Sequence, residues 1–359
     1  MPLDLKGVSK QVGGETHIYP TDLTLEPGVF NILLGTTGAG KTTLMQLMAG
    51  LERPTAGEVW FGGVNVTGMP VQKRNVSMVH QQFINYPNMS VFENIASPLR
   101  VARMPKAEIK ARVERMADLL KLTPLLGRRP SELSGGQQQR CAMARALVKD
   151  ASLVLLDEPL ANLDFKLREE LRDELPRLFA DRDCVVVYAT TEPVEALLLG
   201  GNTATVFQGR VAQFGPTGEV YRRPGTLTSA QVFSEPPINT APVTKDGATI
   251  RLGEHTDWTA PPPIQALPDG AYVFGIRPHH VTLAPDGTHP VAIDGMVLVT
   301  ELSGSESVVH FRLGADDGAA PWVSQSHGIH AVPVGQVARL HMDVAQGLYF
   351  EPDGARIAA

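Results

Sequence analysis

Gly35-Thr36-Thr37-Gly38-Ala39-Gly40-Lys41-Thr42 is the stretch that decides the fold. It satisfies the pattern G-x-x-x-x-G-K-[ST] in full, follows an apolar strand-like run over 29–34 and opens a helix over 41–49. Glycines let the backbone curl so that successive N–H groups face one phosphate, and the helix N-terminus adds the positive end of its dipole. Lys41 is placed to reach the β- and γ-phosphates of a nucleotide. The Thr42 hydroxyl is placed to ligate Mg²⁺, and Thr43 completes the loop. A Gly-rich turn before an ordinary helix does not account for strand, loop and helix standing together.

Outward from this loop, Leu153-Val154-Leu155-Leu156-Asp157-Glu158 reads as a buried strand ending in two acids. Ligands of open α/β sheets bind at that end of the strands. Asp157 is expected to hold the Mg²⁺ shell, and Glu158 to act as general base on the attacking water. Further upstream, Leu133-Ser134-Gly135-Gly136-Gln137-Gln138-Gln139-Arg140 precedes a helix over 137–148. Ser134, Gly135, Gly136 and Gln137 set backbone donors at a second helix N-terminus, hence a second anion site. An N-capped helix alone leaves the Gln-Gln-Gln-Arg run unexplained. One nucleotide needs only one phosphate loop, so the economical solution is a head-to-tail dimer. Each nucleotide then lies between one chain's phosphate loop and the other chain's Ser-Gly-Gly loop.

Around these motifs, strand-like and helix-like segments alternate. An amphipathic helix is expected over 106–120, a charged helix over 164–179 and a buried strand over 185–189, which argues for α/β layering. Composition then turns. Residues 236–359 carry six Lys and Arg against thirteen Asp and Glu, a balance of −7, while the first 235 carry 26 against 25. Eight of the ten histidines fall after residue 250, without zinc spacing. The second part shows short Val-rich strands broken at Asp246-Gly247, Pro268-Asp269-Gly270 and Pro285-Asp286-Gly287, the pattern of a small β-barrel. We therefore expect one domain over 1–235, with a helical portion over about 85–150, and a second over 236–359.

With 43% hydrophobic and 19% charged residues, the 359-residue chain has ordinary globular composition. No window approaches 18 consecutive apolar residues, so no membrane-spanning helix is expected. The first residues lack a basic stretch leading into an apolar core, so a secretory signal is not expected. Two cysteines fit a reducing compartment, and a net charge of −6 gives no sign of a nucleic-acid partner.

Taken together, these motifs resemble the nucleotide-binding subunit of an ABC transporter. Leu133-Ser134-Gly135-Gly136-Gln137 is similar to that family's signature, Gln81 falls at its Q-loop, and Leu160-Ala161-Asn162-Leu163-Asp164 matches its D-loop. The resemblance implies ATP and Mg²⁺ as ligands, with Gln81 both a Mg²⁺ ligand and part of the catalytic set beside Glu158. It also implies a groove at 83–94 for a coupling helix of the permease. Phe214-Gly-Pro-Thr-Gly-Glu-Val-Tyr-Arg-Arg-Pro224 and Pro236-Pro237-Ile238-Asn239 resemble the ATPases of carbohydrate importers. Gly275-Ile276-Arg277-Pro278 resembles the hallmark of their C-terminal OB-like (TOBE) regulatory domain. Two further stretches, Gln81-Gln82-Phe83-Ile84-Asn85-Tyr86-Pro87 and Ala189-Thr190-Thr191-Glu192-Pro193, resemble one of the paired ATPases of bacterial glycerol importers.

The implied setting is peripheral, on the cytoplasmic face of the bacterial inner membrane. The implied partners are a second ATPase, two transmembrane permease subunits and, indirectly, a periplasmic solute-binding protein. Glycerol is the expected solute, with another small sugar, another polyol or glycerol phosphate as alternatives. A soluble ABC ATPase of repair or translation would carry a coiled-coil insertion or a second cassette, whereas this chain spends its extra length on a β-rich domain.

Departures from the family pattern matter equally. Thr191 occupies the position of a switch histidine, and threonine cannot replace an imidazole reaching the γ-phosphate. Losing one transition-state donor commonly costs ~10²–10³ in rate. Val12 stands where an aromatic residue usually stacks on adenine, with His17 or Tyr19 as candidate substitutes. Thr36 replaces a usual proline.

Overall fold

The computed structural model describes residues 1–161, 163–180, 182–283, 291–314 and 320–357. Asn162 of the D-loop and the Pro285-Asp286-Gly287 turn lie outside the described residues. The chain forms two compact units, Met1–Val220 and Tyr221–Ala359.

The first unit is built on a six-stranded sheet. Its order is β10 (Arg210–Pro216), β9 (Asn202–Phe207), β3 (Phe30–Leu34), β8 (Val185–Thr190), β7 (Leu153–Asp157) and β6 (Val76–Val79). All neighbours are parallel except the β9–β10 hairpin. Every residue of β3, β7 and β8 is buried, as expected of a parallel sheet covered on both faces. This explains why those strands read as unbroken apolar runs. A second, antiparallel sheet has the order β2 (Glu15–Leu25), β1 (Leu3–Val12), β4 (Ala56–Phe61) and β5 (Val64–Asn65). Helix α1 (Lys41–Ala49) buries Leu44, Met45 and Met48 in one core with Leu5 and Ile18 of that sheet and Leu155 and Val187 of the larger one. Both methionines are therefore core residues, as expected from their helical spacing.

Helices α2 (Val91–Val101), α3 (Lys106–Leu119) and α4 (Gly135–Leu147) pack on one another as the helical portion. The α4 helix begins two residues before its expected start because Ser134 is its N-cap. Helix α5 (Phe165–Phe179) is capped by Asp164, whose carboxylate accepts from the Leu167 amide at 3.0 Å. Its buried Leu167, Leu171, Leu175 and Phe179 recur every four residues and face the sheet, while its charges face out. Helix α6 (Pro193–Leu199) follows β8.

In the second unit the expected small barrel takes the form of two antiparallel five-stranded sheets around one core, an OB-like arrangement. One has the order β13 (Thr256–Thr259), β12 (Thr249–Leu252), β11 (Asn239–Asp246), β14 (Gly270–Ile276), β20 (Leu348–Phe350). The other runs β15 (Val281–Thr282), β19 (Val337–Met342), β16 (Val291–Leu302), β17 (Glu306–Leu313), β18 (Trp322–His327). Trp258, Phe274, Tyr349, Phe311 and Trp322 dominate the shared core. Residues 221–235, expected to close the first domain, instead belong to this unit. Arg277 explains the difference: its guanidinium donates to the carbonyls of Tyr221 and Phe233 at 2.7 and 2.9 Å and stacks on the Tyr221 ring. Composition changes fifteen residues after the packing does.

Candidate nucleotide-binding and hydrolysis site

The phosphate loop joins the C-terminal end of β3 to the N-terminus of α1, and its shape is enforced by close neighbours. A Cβ on Gly35 would collide with the Val206 carbonyl oxygen, and one on Gly40 would lie 2.8 Å from Ile18 Cδ1. Gly38 and Gly40 also hold φ of +80° and +105°, a region that favours glycine. Outside the loop, the Gly209 amide of the β9–β10 turn donates to the Ala39 carbonyl at 2.8 Å. The loop is therefore held open by packing on both sides, with its amides around the start of α1.

Lys41 is only 5% exposed. Its ammonium donates to the carbonyls of Gly35 (2.7 Å) and Thr36 (3.1 Å) and lies 3.4 Å from Glu158 Oε1. Burial lowers its pKa, and the carboxylates of Glu158 and Asp157 oppose that shift. Beside it, the Thr42 hydroxyl donates to Asp157 Oδ2 at 2.8 Å. Asp157 is 1% exposed, and burial raises its pKa while the Thr42 hydrogen bond pulls the other way. A hydroxyl and a buried carboxylate are hard oxygen donors, the set that suits Mg²⁺. Gln81 Nε2 donates to Glu158 Oε2 at 3.0 Å.

Both oxygens of Glu158 are thus engaged, one by Lys41 and one by Gln81. Glu158 holds φ +46°, costly for a residue with a Cβ, and its amide donates to the Ala189 carbonyl at 3.0 Å. Lys41, Thr42, Gln81, Asp157 and Glu158 are therefore brought together as the sequence predicts. Lys41 and Thr42 come from α1, Asp157 and Glu158 from the end of β7 and the residue after it, and Gln81 from the loop after β6.

The Ser134 loop stands apart. Among the described residues, no hydrogen bond or ion pair joins Ser134, Gly135 or Gln137 to that cluster. Ser134 Oγ accepts from the Gln137 amide at 3.4 Å, and Gln137 Oε1 accepts from the Ser134 amide at 3.0 Å, a reciprocal cap. The Gln-Gln-Gln-Arg run needs no outside partner to explain it, contrary to the expectation from the sequence. Gln138 donates to the Leu133 carbonyl, buried Gln139 to that of Pro159 (2.7 Å), and Arg140 to that of Leu120.

Downstream of Gln81, Asn94 ties down the loop from Tyr86 to Ser90. Its side chain accepts from the Tyr86 amide and donates to the carbonyls of Tyr86, Met89 and Ser90. Arg145 donates to the Ile84 carbonyl and lies over the Tyr86 ring. A cavity of about 450 Å³ opens here, lined by Tyr86, Pro98, Val101, Arg145 and Lys149, with Val101 85% exposed.

Thr191 is exposed after β8, and Val12 is 49% exposed at the end of β1. Of the two candidate substitutes for adenine stacking, Tyr19 already stacks on the Arg210 guanidinium at 3.4 Å, whereas His17 is exposed. Sequence reading missed two arrangements: the Tyr19–Arg210 stack and an ion pair between Arg168 and Glu192 at 2.9 Å. Neither has a motif, since each joins residues that only folding brings together.

The family model described as "ABC transporter" matches residues 18–161. The chain is 35% identical over 352 residues to the sn-glycerol-3-phosphate import ATP-binding protein UgpC of Pectobacterium atrosepticum, covering 97% of both chains. It is 36% identical over 358 residues to the trehalose/maltose import ATP-binding protein MalK of Thermococcus litoralis, covering 94% of this chain and 96% of that one. Among solved structures, the dimeric post-hydrolysis state of the ATP-binding cassette MJ0796 bound to ADP and Pi superimposes with a TM-score of 0.56. That match is at 28% identity and covers 60% of this chain and 98% of the other. The chain therefore belongs to the ABC transporter family, as an ATP-hydrolysing subunit of its importers.

Proposed function

We propose that the first unit hydrolyses ATP with the cluster around Lys41, and that the hydrolysis drives a permease seated in the groove beside Tyr86. The observation that carries this is the convergence of Lys41, Thr42, Gln81, Asp157 and Glu158 at the mouth of the phosphate loop. The loop from Gly35 to Thr43 binds phosphate through its amides and the Lys41 ammonium. Thr42, Asp157 and Gln81 would hold Mg²⁺, which would supply charge neutralisation for the nucleotide phosphates. Glu158 takes the proton of the attacking water after its oxygens leave Lys41 and Gln81. Ser134, Gly135, Gly136 and Gln137 serve the nucleotide of a second ATPase chain. Glu158→Gln tests the base: ATP binding should persist while turnover of the assembled transporter falls ~10²–10⁴-fold. Unchanged turnover would show that Glu158 is not the base.

The same reading places the chain peripherally on the cytoplasmic face of the inner membrane, with two permease subunits and a periplasmic solute-binding protein. No helix among the described residues is long and apolar enough to cross a membrane. The β-rich second unit is the regulatory part. Thr191 and Val12 belong to this chain's own nucleotide, whereas its Ser134 loop is intact, and that asymmetry favours pairing with a different ATPase. Rates for this chain alone, its partner and the complex test that pairing. A transporter containing two copies of this chain would refute it.

The solute is glycerol or its phosphate ester. The sequence resemblance favours the polyol, and the likeness to the sn-glycerol-3-phosphate import protein of Pectobacterium favours the ester. Uptake of labelled glycerol and of labelled glycerol 3-phosphate in a deletion strain decides between them. Normal uptake of both would refute this assignment.

A further inference from the structure

We propose that Arg168 is a positioning residue for hydrolysis, fastening the Thr191–Glu192 loop to the loop that leaves Glu158. This rests on the reading of Glu158 as general base. Arg168 stands in the first turn of α5 and spends two nitrogens of one guanidinium on two different loops. Nη1 donates to Glu192 Oε1 at 2.9 Å, and Nη2 donates to the Ala161 carbonyl at 3.2 Å.

Both ends of this strap are anchored. On one side the Glu192 amide donates to Thr190 Oγ1 at 3.0 Å. That hydroxyl donates in turn to buried Glu195 at 2.6 Å, which also accepts from the Tyr188 hydroxyl. On the other side the Ala161 amide donates to the Glu158 carbonyl at 3.4 Å, and the Glu158 amide donates to the Ala189 carbonyl. The contacts close a ring: Glu158, Ala161, Arg168, Glu192, Thr190, Ala189 and back to Glu158. The Gly35 amide joins it by donating to the Thr190 carbonyl at 3.3 Å.

Thr191, exposed, lies in the chain between Thr190 and Glu192, two members of this ring, and its side chain is shorter than an imidazole. The orientation of Glu158, held at φ +46°, is therefore left to the backbone ring that Arg168 closes. A lysine would have to serve both acceptors from a single nitrogen on a flexible stem, without the fixed fork of the guanidinium.

The test uses the full chain assembled with its partner ATPase and permease. It reads steady-state kcat and KM for ATP, the Kd of the full chain for a fluorescent ATP analogue, and the thermal midpoint. We expect Arg168→Ala and Glu192→Ala each to lower kcat about tenfold with KM and Kd held within about twofold. Arg168→Lys should fall between Arg168→Ala and the unmodified protein. The double variant should lose no more than the worse single, because both remove one strap. The milder Glu192→Gln keeps the question open to measurement if either alanine variant folds poorly, and it too should lower kcat alone. Unchanged kcat, losses that multiply in the double variant, or KM, Kd and midpoint moving together with kcat would each overturn the proposal. Failure of the unmodified chain to bind ATP would instead overturn the hydrolysis reading itself.

Discussion

The two glycine-bearing loops that open helices α1 and α4 are built to opposite plans. In the phosphate loop every glycine constraint comes from within: Gly35 and Gly40 have no room for a Cβ, and the Lys41 and Thr42 side chains already hold partners. At the Ser134 loop, a Cβ on Gly135 would meet nothing within 4 Å, and its φ is not positive. Neither crowding nor backbone conformation in this chain requires glycine there. The first loop is shaped by its own protein. The second faces open space at Gly135.

That contrast can be broken in four ways, and the largest effect belongs to the self-contained loop. Lys41→Ala removes the ammonium that faces the phosphates and leaves Glu158 without its cation. ATP affinity of the chain, by equilibrium binding, should fall by ~10²-fold or more. Gly135→Asp probes the other plan: an acid in the first turn of a helix does not harm the fold. It should leave ATP binding by the isolated chain unchanged while lowering ATPase of the assembled transporter ~10²-fold. Loss of binding in the isolated chain would mean the Ser134 loop serves the same nucleotide as Lys41. Gly35→Ala should cost about 1–3 kcal/mol by denaturant unfolding, because the Val206 carbonyl must give way. The smallest change is expected from Gly135→Ala, neutral or stabilising by about 0.4–1 kcal/mol through the unfolded state. A clear loss there would show that the open space is occupied within the chain.

Much of this site was legible in the sequence because its chemistry is local. Lys41 and Thr42 sit in one turn, and Asp157 and Glu158 end a strand whose apolar run is forced by double burial. What the sequence concealed was reciprocity between distant segments. Gln139 reads as part of a polar run, yet it is buried against the Pro159 carbonyl, next to the strand end that carries Glu158. Arg168 reads as one charge among many on a surface helix. The domain boundary was missed for a similar reason: composition turns near residue 236, whereas Arg277 captures residues 221–233 by carbonyl hydrogen bonds that leave no compositional trace. The β1–β2 sheet escaped notice because repeated bulges break the alternation along β1.

The reciprocal cap at Ser134 and Gln137 has a kinetic meaning. A helix start that depended on a second chain for its hydrogen bonds would have to order itself each time the two met. This one is finished beforehand. Under the proposed pairing with a second ATPase, joining and parting would carry no local folding step here, and the encounter would be one of preformed surfaces, its rate set by diffusion and orientation.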